Sequence, residues 1–403
     1  MVDMRALAGA EAIASSSRTS ARTVRIAYAD ALRALAIFCV FLHHMFQQTL
    51  LTAKVRELAV FGYWGVDCFF VLTGFLLCGP YLRAIADGTP LPGWRPFAVR
   101  RILRIYPLYV VCLALSIADL VAHARGPSLL DAGAHLLMLH GFIVPYVTQI
   151  NGPLWTMAVD AQFYVLMPIA LFGFNALVRR RPAAQRVRSI WLLLAAICLA
   201  SLLERFVAVY LLTSSGTATW DGDAVYARNA VGMATNFAVG AALALLALRR
   251  PVPARPRAWY AAAVVLGIVF IALQAISLGL DTTRAALSIG TYTLIDVLGA
   301  CSVGLLIYGL TRGGWGRIDA VVASRRVAML AALAYAVYLF QEPLINHVVA
   351  LYHGPLGSPV ATLGLGIVSL LVVYCVAIPM HRFVEQPFLD MREHHREIVP
   401  TLP

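Results

Sequence analysis

Charge is what this sequence has least of. Asp, Glu, Lys and Arg make up 13% of its 403 residues, against about a quarter in an ordinary soluble domain. In their place 61% of the residues are hydrophobic, with a mean hydropathy of +0.78. That balance excludes a soluble globular fold, because apolar runs of ~20 residues, each long enough to cross a bilayer, recur along the chain. Several chemical signatures are missing as well. No P-loop, GxSxG, HExxH or Cys/His zinc spacing occurs, so those chemistries lack support and no metal is expected. The cysteines at 39, 68, 78, 112, 198, 301 and 375 form no CxxC pair and read as buried free thiols. Residues 1–25 hold no apolar core of a signal peptide; with Arg5, Arg18, Arg22 and Arg25 around a serine patch, they read as a cytoplasmic tail. No internal repeat is visible, which argues against the common transporter architectures.

What is present is a set of long apolar segments at about 31–51, 60–79, 104–122, 154–178, 189–212, 229–248, 258–279, 287–311, 327–350 and 360–382. A shorter stretch, 132–148, carries two histidines, a glycine and a proline, and hydropathy alone does not say whether it crosses. Loop charge does. If the N-terminus is cytoplasmic and 132–148 turns back, then 80–104, 179–188 (RRRPAAQRVR), 249–257, 312–326 and 383–396 all face the cytoplasm. Of the 32 basic residues, only Lys54, Arg56, Arg125, Arg205, Arg228 and Arg284 then lie elsewhere. This obeys the positive-inside rule and accounts for the net charge of +12 without nucleic acid. The expectation is an all-α polytopic protein of the inner (cytoplasmic) membrane, with about ten transmembrane helices and both termini cytoplasmic. Residues 1–28 would be a tail, 29–390 one membrane domain and 391–403 a second tail, with 132–148 re-entrant or interfacial. The oligomeric state is left open.

Ionisable residues inside such segments are functional candidates. In the first span, Arg33 and His44 are eleven residues apart, three turns plus about 20° and a rise of about 16 Å. They share a face, whereas His43 points about 100° away. Asp67 opens the second span, either as a carboxylate at a helix N-terminus or as part of a site. Arg101 and Arg104, three apart at the mouth of the third span, make a paired guanidinium site suited to a cytosolic phosphate. Asp160 and Gln162 lie in the outer half of the fourth span, where a carboxylate needs a cationic partner. Gln341 and Glu342 sit inside the ninth span. Glu385, near the end of the tenth, is expected to pair structurally with an arginine from a neighbouring loop. The outer loop 213–227, with Trp220, Asp221, Asp223 and Tyr226, has the aromatic and polar content of a sugar-binding loop.

Five segments in order, DALRALAIFCVFLHH, GVDCFFVLTGF, RRILRIYPLY, PLWTMAVDAQFY and AYAVYLFQEP…FVEQPF, resemble the acyltransferase-3 family of integral membrane acyltransferases over nearly the whole chain. The resemblance implies an O-acyltransferase that moves an acyl group, usually acetyl from acetyl-CoA, to a hydroxyl of a carbohydrate or glycosylated acceptor such as a cell-surface glycan or a macrolide-type antibiotic. The family's Arg/Lys–ten residues–His motif falls on Arg33 and His44. Its Arg-x-x-Arg motif, implied to meet the coenzyme's phosphates, falls on Arg101 and Arg104. The usual Glu-Glu-Gln is here Asp160-Ala161-Gln162, the usual glycines beside the first arginine are Ala31 and Ala34, and the frequent ninth-span histidine is Gln341.

The mechanism expected from these residues has His44 as general base, oriented by Asp67 or Asp160. Arg33, Arg101 and Arg104 hold the donor. His43, Trp155, Gln162, Gln341 and Glu342 surround the substrates. Direct transfer and relay through an acyl-histidine both fit. In isolation the same polar residues would also line the path of a glycan or lipid transporter or flippase. The partners implied are acyl-CoA, the acceptor and the lipid bilayer.

Overall fold

A computed structural model describes residues 27–49, 62–143, 150–214, 229–249, 256–279, 285–310 and 317–391. The tails at 1–26 and 392–403, residues 144–149 of the ambiguous stretch, and 215–228, which hold most of the outer loop, lie outside the described residues.

Among the described residues there are twelve helices and no strand. They are α1 (Ala27–Gln48), α2 (Gly62–Asp87), α3 (Trp94–Ala122), α4 (Leu129–Leu136), α5 (Leu154–Val178) and α6 (Ala183–Ser214). The second half contributes α7 (Ala234–Arg249), α8 (Pro256–Gly279), α9 (Ala285–Leu310), α10 (Arg317–Val322), α11 (Arg325–Ala350) and α12 (Pro359–Met380). Helices α1, α2, α3, α5, α6, α11 and α12 are long and apolar enough to cross a membrane, and α7, α8 and α9 hold shorter apolar stretches. These ten fall on the ten expected runs. The protein is an all-α polytopic membrane protein.

Local chemistry sets the helix starts. Ser324 Oγ accepts from the Val327 N–H (3.4 Å) to cap α11, and Ser358 Oγ accepts from the Ala361 N–H (3.0 Å) to cap α12, where Pro359 follows without a donor to orphan. Ser128 caps α4 in the same way.

Among the described residues, the stretch around α4 packs back on α3. The Tyr109 hydroxyl of α3 donates to the His135 carbonyl at 2.7 Å, and Asn151, just before α5, reaches Ser116 near the end of α3 at 3.4 Å. Helix α3 therefore ends where α5 begins, as the arginine distribution requires. The segment holds its histidines inward, with His135 against Asp131 at 2.9 Å and stacked on His140 with ring centroids 3.9 Å apart. It turns Leu129, Leu130, Leu137 and Phe142 outward, the pattern of an element lying in the membrane interface.

Helices α2 and α7 approach each other closely. A Cβ at Gly74 would collide with the backbone of Phe237, and one at Gly240 with the backbone between Val71 and Phe75. Small residues let helix backbones meet in membranes, and here neither neighbour is a side chain able to swing away. Gly240→Val is expected to push α2 from α7 at a cost of about 2 kcal/mol, seen as a lower unfolding temperature in detergent. A second prediction concerns the interfacial segment. Burial pushes the His140 pKa down to about 3, below its value of about 6.5 in an unfolded chain. The stability it permits is therefore complete above pH 6.5 and lost as pH falls toward 3. Amide protection factors in 129–143, which are corrected for the intrinsic slowing of exchange in acid, should fall as pH drops from 7 to 4, and His140→Phe should abolish that fall.

Candidate active site

Three arginines from two helices converge on one cavity. Arg33 of α1 donates to Asp30 one turn below at 2.6 Å. Arg104 of α3 lies 3.4 Å from Glu385, which is buried in a wide turn (His381–Glu385) continuing α12 past Pro379 and also meets His381 at 2.8 Å. Glu385 thus takes the structural pairing expected of it. The Arg101 guanidinium lies over the rings of Phe97 and Tyr164, 6.0 and 5.8 Å from their centroids, with Asp160 as its charged neighbour.

The cavity encloses about 140 Å³. Its polar lining comprises the three arginines, Asp160, Thr73, Thr156, Tyr164, Tyr335 and Tyr338, and Val66, Phe69 and Phe70 close one side. Tyr335 is held by a 2.7 Å hydrogen bond to the Ile105 carbonyl, between the two arginine helices and α11.

Toward the other end of α1, His44 Nδ1 stands 3.7 Å from Glu342 Oε2 of α11. The distance is that of an ion pair and too long for a direct hydrogen bond; such contacts commonly tighten when substrate binds. Glu342 arrives there through its neighbour. Pro343 lacks an N–H, so the Leu339 carbonyl one turn earlier loses its helical donor. Asn151 Nδ2 at 3.1 Å and the Cys112 thiol at 3.4 Å take the vacant place. That bond seats the loop before α5 on α11 and lays Gly152 against the Glu342 carboxylate, so closely that a Cβ at 152 would overlap its oxygens.

Neither carboxylate expected to orient His44 forms an ion pair with it. Asp67 is buried on the face of α2 toward α7, where Asn236 Nδ2 donates to it at 2.6 Å and Arg205 is its charged neighbour. Asp160 belongs to the arginine cavity. The partner of His44 is Glu342, and the reason is helix rotation: α2 turns Asp67 away, while the Pro343 latch fixes Glu342 toward α1. His43 packs over Gly62 with its ring 5.3 Å from that of His44. Trp155 is buried edge-on to Phe70, at 6.1 Å between centroids. Gln162 accepts from the Ala230 N–H at 2.9 Å and ties α5 to the start of α7. None of His43, Trp155 and Gln162 lines the cavity. Gln341 is fully buried, with no hydrogen-bond partner for its amide among the described residues. Sequence reasoning passed over Tyr338, Thr156, Asn151 and Gly152; the one available sign was Pro343 directly after Glu342.

A membrane-embedded site with arginines at one end and a histidine–carboxylate pair at the other defines the class. A family model described as an acyltransferase domain matches residues 26–378, and the chain belongs to the acyltransferase-3 family. It is 30% identical over 192 residues to the Bacillus subtilis (strain 168) protein named "Putative peptidoglycan O-acetyltransferase YrhL", covering 43% of this chain and 28% of that one. A Staphylococcus aureus (strain COL) protein named "Putative O-acetyltransferase" is 24% identical over 165 residues, 38% of this chain and 26% of its own. A Rhizobium radiobacter protein, "Protein 2 in picA locus", is 46% identical over 56 residues, 14% of this chain and 28% of its own. The chain thus spans little more than a quarter of the length of these curated relatives. No solved structure matches it.

The seating of Glu342 can be tested through the glycine that admits it. Gly152→Ala should push the carboxylate from His44 and lower acyl transfer about 100-fold, the scale of a displacement of about 1 Å at a reacting centre. Elution as a single species on size exclusion would show that the fold survives.

Proposed function

We propose that this protein is an O-acyltransferase of the cytoplasmic membrane that moves an acyl group, acetyl in the simplest case, from acyl-CoA to a hydroxyl of a carbohydrate or glycosylated acceptor. The observation that carries the reading is an arginine-lined cavity and a His44–Glu342 pair at opposite ends of α1 within an acyltransferase domain. Arginine supplies planar, bidentate donors for phosphates. Arg33, Arg101 and Arg104 therefore suit the coenzyme's phosphates, entering from the side that loop charge assigns to the cytoplasm. The cavity takes the pantetheine arm, and His44 stands about 16 Å above Arg33 along α1. Names that refer to O-acetylation, and in one relative to peptidoglycan, support a glycan acceptor.

His44 acts as general base, removing the proton of the acceptor hydroxyl as its oxygen attacks the thioester carbonyl. With Nδ1 facing Glu342, Nε2 is left for the hydroxyl. Glu342 is a positioning residue: it holds the ring and offsets the charge that the ring acquires. The proton then passes from His44 to the departing thiolate. No metal is required by this scheme.

Proteoliposomes given acetyl-CoA and a glycan acceptor should release free thiol as the acetyl ester forms. A glycan or lipid transporter would move solute without thiol release, and that outcome would sink the proposal. His44→Ala should lower transfer by about 10²–10⁴-fold, while His43→Ala keeps most of it. Arg101→Ala with Arg104→Ala should raise the KM for acetyl-CoA more than it lowers kcat.

A further inference from the structure

The residues lining the cavity fall into an order. On α11 they run Ala331, Ala334, Tyr335, Tyr338, and on α5 they run from Tyr164 back to Thr156. Tyr338 and Thr156 therefore close the end farthest from the arginines. Glu342 follows Tyr338 by four residues on the same face of α11, one turn or about 6 Å further on. Gly152, which lies against Glu342, precedes Thr156 by four. The order along the two helices thus puts Tyr338 and Thr156 at the end of the cavity nearer the Gly152–Glu342 contact.

The two hydroxyls share one acceptor. Thr156 Oγ1 lies 2.8 Å from the Tyr338 oxygen and 3.0 Å from the Pro153 carbonyl and can donate its one proton to either, and the Tyr338 hydroxyl donates to the same carbonyl at a long 3.3 Å. That carbonyl also receives the Thr156 backbone N–H at 3.2 Å. The Tyr338 proton can leave Pro153 without orphaning a buried acceptor, so redirecting it costs little. With its proton turned from Pro153 to the phenol oxygen, Thr156 polarises the Tyr338 O–H, because linked hydrogen bonds strengthen one another. The ring is held by buried packing edge-on to Phe69, 5.9 Å between centroids.

Resting on the acyl-transfer reading, we infer that Tyr338 is a catalytic residue, the donor that stabilises the oxyanion of the tetrahedral intermediate, and that Thr156 is the positioning residue that aims and polarises it. When the acceptor oxygen bonds to the thioester carbon, the carbonyl π pair moves onto oxygen and the acceptor proton goes to His44. Tyr338 swings its hydrogen bond from Pro153 to that oxygen and keeps its own proton. The oxygen pair then re-forms the carbonyl, the C–S bond breaks with its electrons on sulfur, and His44 returns the proton to the thiolate. A preorganised donor aimed at developing charge in a site without water commonly contributes 10²–10³-fold in kcat.

The test uses the full chain in proteoliposomes, with the steady-state constants for acetyl-CoA measured on Tyr338→Phe, Thr156→Val and Thr156→Ser. Binding of a thioether analogue of acetyl-CoA, which offers a carbonyl but cannot transfer it, is measured in parallel. Tyr338→Phe keeps the ring and its packing. It is expected to lose about 100-fold in kcat, with the acetyl-CoA KM and the analogue Kd within about twofold of wild type. Thr156→Val should lose about tenfold in kcat and Thr156→Ser should recover it, a rescue that a packing role would not show. A Tyr338→Phe enzyme within threefold of wild-type kcat, or one that loses donor binding while keeping kcat, overturns the assignment. Either result with His44→Ala still inactive leaves the acyl-transfer reading standing. Full activity in His44→Ala would instead remove that reading.

Discussion

A charge inside hydrocarbon must be met by a partner from the protein, and that requirement organises this fold. An unpaired ion in an apolar medium costs several kcal/mol, and several of the charged groups among the described residues bind one helix to another. Arg104 with Glu385 joins α3 to the end of α12. Asp67 with Asn236, beside Arg205, joins α2 to α7 and α6. His44 with Glu342 joins α1 to α11. Apolar packing between membrane helices gains little over packing against lipid tails, so these polar contacts fix rotation and register where greasy surfaces would leave both loosely set.

The same logic explains what could be read in advance. Helix number and placement followed from hydropathy, because it reports on single segments against a bilayer. The shared face of Arg33 and His44 followed from helical phase, which is internal to one helix. The partner of His44 did not, because it depends on how α11 is rotated against α1. That rotation is fixed by a proline: Pro343 strips a donor from the Leu339 carbonyl, Asn151 replaces it, and the α5 loop is drawn over Glu342. Asp67 looked equally suitable on its own helix, yet it faces α7. A sequence shows which side chains need partners more readily than which partners they find.

Asp160 and Gln162 make the same point within one helix. They are two residues apart and so point about 200° from each other. Asp160 lines the arginine cavity, whereas Gln162 accepts from the backbone at the start of α7. Where the family usually has two carboxylates and an amide, this chain keeps one carboxylate toward the cavity and an amide in a helix-to-helix tie. The alanine between them gives up a charge without disturbing either role.

The arginine cavity is also close to neutral before any donor enters. Arg33 has Asp30, Arg104 has Glu385 and Arg101 has Asp160 nearby. Three unpaired guanidinium groups packed this tightly would repel one another and resist burial. Asp30 and Glu385 remove that cost and hold their arginines in fixed directions, while Asp160 lowers it for Arg101 as a nearby charge. A guanidinium carries five N–H donors and a carboxylate engages at most two of them at once, so donors remain for a phosphate without breaking the pair. Under the proposed function, affinity for a polyanionic donor would arise from directed hydrogen bonds more than from a large net positive field. An enzyme gains from this arrangement, because binding that is too strong in the ground state slows product release without speeding the chemical step. In the proposed mechanism the energy is better placed away from the arginines, at the hydroxyl and imidazole groups that meet charge only as it develops.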